Sequence, residues 1–117
     1  MILLEHYQKC KKQVLANRVA VLLGTNQSDV QNLYQKMTQF YRLRSESLHD
    51  GNGSNVTQFE FRELEEITRQ VLRKCLIRCK NELLIIPNTT WDEIKASLIS
   101  ELKSQVLMYK NSGVLPP

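Results

Sequence analysis

Apolar residues recur along most of this chain at helical spacing. Val30, Leu33, Tyr34, Met37, Phe40 and Tyr41 follow one another in short steps, and Arg44 continues the line. Steps of i, i+3, i+4 and i+7 put side chains on one face of a 3.6-residue helix. The same spacing predicts a helix after Thr57, through Phe61, Leu64, Ile67, Val71, Leu72, Cys75 and Cys79, ending near Pro87. It predicts another after Thr90, through Ile94, Leu98, Leu102 and Val106. Ahead of these, Leu3, Leu4, Tyr7, Cys10, Val14, Leu15, Val19, Leu22 and Leu23 predict a first helix, which Gly24 is placed to end. No stretch alternates over enough residues to read as a strand.

Helix starts are marked as well. Ser28-Asp-Val-Gln31, Thr57-Gln-Phe-Glu60 and Thr90-Trp-Asp-Glu93 are capping-box patterns. In each, a hydroxyl can accept from the backbone N–H three residues on, while Gln or Glu reaches back. The same hydroxyl residues complete glycosylation sequons that begin at Asn26, Asn55 and Asn88, and capping accounts for them without a glycan. Short connections favour an antiparallel, all-α bundle of about four helices. Residues 1–110 are expected to form one domain and residues 111–117 a frayed tail. Trp91, at the first position of the last helix, is expected to cover a bundle end.

Composition narrows the class. A chain of 117 residues with 42% apolar and 24% charged content is an ordinary globular domain with one modest core. The net charge of +4 tolerates an anionic partner such as RNA. The apolar runs are too short to span a membrane, and no basic stretch precedes an apolar core at the start. The odd count of three Cys argues against a disulfide framework. A cytoplasmic location is the expectation.

The segment that carries chemistry is Tyr41-Arg-Leu-Arg44-Ser-Glu-Ser-Leu-His49-Asp-Gly51. It closes the aromatic stripe of the second helix and opens a loop with glycine at 51 and 53, where a backbone or ligand can come close. Imidazole passes protons in either direction near neutral pH. Guanidinium is permanently charged and presents a planar fork to phosphate oxygens. RNA supplies its own nucleophile, the 2′-hydroxyl, so Arg and His suffice for cleavage without a metal or cofactor. On an unbroken helix Arg44 and His49 would stand about 140° apart around the axis. They converge only if the helix ends or bends between them, or if a second chain completes the site. The bland reading is a surface Arg and a helix-terminal His that favours the helix dipole.

This segment resembles the signature of the HEPN superfamily, in particular its Apea-like branch. The likeness rests on Tyr41-x-x-Arg44-Ser45-x3-His49-x-Gly51 and on Arg18-Val-Ala-Val-Leu-Leu-Gly24, and it runs from Leu3 to about Leu84. The resemblance implies an all-α bundle that dimerises and brings two motif copies into one cleft. It implies a metal-independent endoribonuclease of defence, toxin–antitoxin or RNA-processing type, or a relative without catalysis that binds RNA, a protein partner or an antitoxin. By position, Arg44 would bind and polarise the scissile phosphate and His49 would transfer protons. Ser45 would orient them or contact RNA. Active relatives often carry Asn, Asp or His after the Arg, and direct His-Gly is commoner than His49-Asp50-Gly51.

Tyr34, Phe40 and Tyr41 can stack on bases. Core packing is the first reading for Tyr34 and Phe40, while Tyr41 lies one turn before Arg44. Arg42 shares the motif as solvated charge, and with Tyr41 and Arg73 it completes the candidate RNA contacts. Arg62, Arg69, Arg73, Lys74, Arg78 and Lys80 make the third helix basic. They read either as an RNA-facing strip or as a solvated face paired with Glu63, Glu65 and Glu66. His6 and Cys10, like Cys75 and Cys79, are four apart and on helices would share a face, offering a tetrahedral metal set. Apolar packing of the three Cys is the simpler reading, and no metal is assigned.

Overall fold

Leu15 to Val21 are all buried, without interruption. A helix buried on consecutive residues is enclosed on every side rather than amphipathic. The computed structural model describes Leu3, Leu4 and residues 9–50 and 57–117, with only the backbone for 47–50. Among the described residues four helices make up the all-α bundle: α1 (Lys11–Leu23), α2 (Gln27–Asp50), α3 (Gln58–Ile85) and α4 (Trp91–Asn111). The enclosed helix is α1, and it packs on each of the other three. Ala16 and Ala20 are fully buried, and their small side chains let the neighbouring backbones approach.

The first helix starts at Lys11 rather than at Leu3. Cys10 sits in the left-handed region, with φ 53° and ψ 49°. L-residues visit that region singly, so a right-handed helix does not run through it. Leu3 and Leu4 are buried as their place in the stripe predicted, but in a turn laid against the core. Arg18 pins that turn: its guanidinium, in a residue only 4% exposed, donates to the Leu3 carbonyl at 2.7 Å. Cys10 is exposed, against the expectation that it packs.

Asn26, not Ser28, caps α2. Its side-chain oxygen accepts from the Asp29 N–H at 2.9 Å. Asp29 reaches back to accept from the Thr25 hydroxyl at 2.6 Å and the Thr25 N–H at 3.3 Å. These two bonds hold the Asp29 carboxyl below its ordinary range. The capping box is present but shifted by two residues, since Asn and Asp serve its chemistry as well as Ser and Gln do. The other caps are as predicted: Thr57 accepts from the Glu60 N–H at 3.1 Å and Thr90 from the Glu93 N–H at 3.3 Å. Helix α3 stops at Ile85, short of Pro87. The sequon at Asn55 lies outside the described residues.

Gly24 does end α1, but in extended backbone, φ −72° and ψ 136°. Its reason is space. A Cβ there would stand 2.6 Å from Val30 Cγ2 and 2.7 Å from the Ala20 carbonyl oxygen. Between α3 and α4, Arg78 acts as a clamp: it donates to Glu82 at 2.8 Å, to Ser97 at 3.1 Å and to the Glu101 carboxylate. The frayed tail is also a misreading. After Asn111 the chain turns at Gly113, φ 83°, and the Val114 and Leu115 N–H groups donate to the Tyr109 carbonyl. Leu115 is 1% exposed and belongs to the core. Trp91 keeps 44% of its surface exposed. Among the described residues no helix is long and apolar enough to cross a membrane.

Two stability predictions follow from these contacts. Gly24→Ala forces the α1–α2 turn apart and should cost about 1–3 kcal/mol in urea titration; an unchanged midpoint would show that the turn relaxes freely. Arg78→Ala removes one guanidinium that ties two helices and should cost roughly 1 kcal/mol, whereas Arg69→Ala, which breaks only exposed pairs within α3, should cost less than about 0.5. Equal effects of the two substitutions would refute the clamp.

Candidate functional site

The second half of α2 presents two different faces. On one, Met37, Phe40, Tyr41 and Arg44 look into a cavity of about 620 Å³, closed by Leu15 and Val19 of α1 and by Leu64, Ile67 and Val71 of α3. Its lining is apolar apart from the Arg44 guanidinium, the Tyr41 hydroxyl and Thr68. On the other face, Tyr34, Thr38, Tyr41, Arg42 and Ser45 join Lys12 and Gln13 of α1 around a polar hollow of about 360 Å³. Tyr41 borders both. Burial raises its phenol pKa and the Arg44 charge opposes that shift. At neutral pH Tyr41 is therefore a neutral hydrogen-bond donor with an aromatic face.

The two cations of the motif are thus separated in space. Arg42 lies 3.8 Å from Glu46 on its own helix, a loose exposed pair that leaves the guanidinium available at the polar hollow. Arg44 is exposed at the mouth of the apolar cavity. Between Arg44 and His49 the helix does not end, because α2 continues to Asp50. Of the routes to convergence, an end between them is not the one taken, and along the continuous helix the two positions stand about 140° apart around the axis. Position 49 instead follows Ser45 by one turn and Arg42 by two, so the backbone places it on the line of the polar hollow. The His49 side chain, Gly51 and Gly53 lie outside the described residues.

Of the predicted site residues, Tyr41, Arg42 and Ser45 come together. Arg44 joins them only through Tyr41, and Arg73 of α3 lines neither hollow. The sequence reading missed Lys12. It comes from the start of another helix, and nothing in the motif signals which basic residue α1 will bring alongside. Tyr34 and Phe40 are partly buried against the core, as expected.

The basic residues of α3 divide. Arg69 pairs with Glu65 and Glu66, as the solvated-face reading proposed. Glu63 pairs with Lys36 of α2 at 3.0 Å, and Arg78 is taken up by its clamp. Arg73 and Lys80 are exposed and make no ion pair among the described residues. Of the candidate metal set, Cys10 precedes α1, and His6 lies outside the described residues. Among the described residues no three His, Cys, Asp or Glu gather closely enough to hold an ion. Burial, and then the neighbouring Cys79, push the Cys75 thiol pKa up, which keeps it protonated and unreactive.

No family model matches the chain, and no curated protein and no solved structure matches it.

Proposed function

We propose that this chain is a HEPN-like RNA-binding domain that cleaves RNA as a homodimer, without a metal. The observation that carries the reading is the polar hollow, where Lys12, Arg42, Ser45 and Tyr41 combine two cations, a hydroxyl and an aromatic ring along one groove. Cations bind the backbone phosphates and the ring offers a base a stacking face. Because Arg44 and position 49 diverge within one chain, the reading requires two chains: Arg44 of one protomer meets His49 of its partner across the cleft. There Arg44 neutralises charge growing on the phosphate oxygens. His49 accepts the 2′-hydroxyl proton as O2′ bonds to phosphorus, the P–O5′ bond breaks, and a proton passes to the departing O5′. The products are a 2′,3′-cyclic phosphate and a 5′-hydroxyl.

A second reading is an interaction module without catalysis, in the manner of a toxin or defence component held by a protein partner. The large apolar side chains left exposed on α3 favour it.

Incubated with a mixed RNA pool in EDTA, wild type should cut, and Arg44→Ala and His49→Ala should each lose at least about 10²-fold in rate. Sedimentation of the same samples should give dimers throughout. A wild type inert at high enzyme concentration would move the assignment to the interaction module. Independently, Lys12→Ala and Arg42→Ala should weaken RNA binding and each flatten the slope of log K against log salt by about 1. Unchanged slopes would take the hollow out of the RNA contact.

A further inference from the structure

Helix α3 has 28 residues, so it is about 42 Å long at 1.5 Å per residue. Along it, only Ile67 and Cys75 are buried. Its packed side carries Ile67, Val71, Cys75 and Arg78. Roughly 100° around the axis from that side runs a second apolar line: Leu72, Leu76, Cys79, Leu83 and, at the C-cap, Ile86. The steps are four, three, four and three, which is the a/d spacing of a coiled-coil seam. The seam faces outward. Leu76 is 69% exposed, Ile86 55%, Leu72 45% and Leu83 43%. Single exposed leucines need no explanation, but a continuous line with this period marks a docking surface.

Charge identifies the occupant. In the heptad frame set by the seam, Arg73 and Lys80 take successive e positions, which flank a partner helix. Both are exposed and neither makes an ion pair among the described residues. Arg62 and Arg69 lie before the seam begins, and Arg69 is engaged by Glu65 and Glu66, so the flank rests on Arg73 and Lys80. The flank is therefore a cationic rail beside an apolar track. Antiparallel pairing of two α3 helices about the centre of the seam would bring Arg73 opposite Lys80 of the second copy, twice. Like charges there oppose association and set partner choice. An acidic helix meets the same rail with attraction.

We infer that the outer face of α3 is the docking site for an amphipathic partner helix, with apolar residues at a/d spacing and Asp or Glu along the edge that meets Arg73 and Lys80. This deepens the interaction-module reading of the chain; no seam residue lines the polar hollow, and of the seam only Leu72 borders the cavity that Arg44 lines. The groove-and-helix mode of recognition supplies the physics: apolar anchors give affinity and the flanking charges give orientation and choice.

The test uses the full chain and two synthetic three-heptad peptides, identical with Leu at a and d but flanked by Glu in one and Lys in the other. Fluorescence anisotropy at low salt should show the Glu peptide binding at least tenfold more tightly. Leu76→Glu should abolish that binding with an unchanged thermal melt, since the side chain it replaces is exposed. The double variant Arg73→Glu/Lys80→Glu should reverse the preference in favour of the Lys peptide. Failure of both peptides to bind, or equal binding insensitive to the charge reversal, overturns the proposal. So does sedimentation showing a wild-type dimer that Leu76→Glu dissociates, because the seam would then belong to a second copy. RNA cleavage measured on Leu76→Glu separates the two readings: it should equal wild type whichever way the peptides behave.

Discussion

The enclosure of α1 is the constraint from which the rest of the architecture follows. A helix buried from Leu15 through Val21 needs cover on all sides, and three helices, a turn at Leu3–Leu4 and a returning tail at Leu115 provide it. Helix α3 gives α1 only part of its apolar surface, burying Ile67 and Cys75 and leaving Leu76, Leu84 and Ile85 exposed. Helices α2 and α3 both lean on α1, and where they diverge the cavity beneath Arg44 opens. The outer sides of both are left to solvent. One carries the polar hollow with Arg42 and Ser45, the other the apolar seam with Arg73 and Lys80. The surfaces that can meet partners are those the central helix does not require.

Much of this was legible from periodicity and caps. The helical stripes of α2, α3 and α4 and the Thr57 and Thr90 caps depend on local rules, and local rules survive folding. What was not legible depends on contacts far apart in sequence. Leu3 and Leu4 read as helix because burial in a packed turn leaves the same apolar signature as burial on a helix face. The left-handed residue at Cys10 has no marker of its own, since glycine or asparagine would be its usual sign. Leu115 looks like tail until Gly113 turns the chain back toward Tyr109. Gly24 marked the end of α1 for a reason the sequence did not disclose: the Val30 side chain lies where a Cβ would be.

At the site the linear motif misleads in a particular way. Arg44 and His49 look like one unit because they are close in sequence, yet a helix that runs to Asp50 turns them to different sides. Positions grouped by the helix are 42, 45 and 49, three and four apart. The cation that completes their hollow, Lys12, comes from α1. Spacing along the chain therefore does not translate into proximity, and the proposed function asks a second chain to bring the two positions together.

The two outward surfaces answer to different physics, so one solution variable separates them. The proposed contacts of Lys12 and Arg42 with phosphate would release counterions and weaken steeply as salt rises. The α3 seam rests mainly on apolar burial, which salt does not screen. Its rail of Arg73 and Lys80 loses attraction over a Debye length that shrinks to about 3 Å at 1 M salt, so charge preference fades while apolar affinity remains. A complex that survives high salt but forgets the sign of its partner's flanks is seated on α3. One that dissolves outright is held by phosphates at α2.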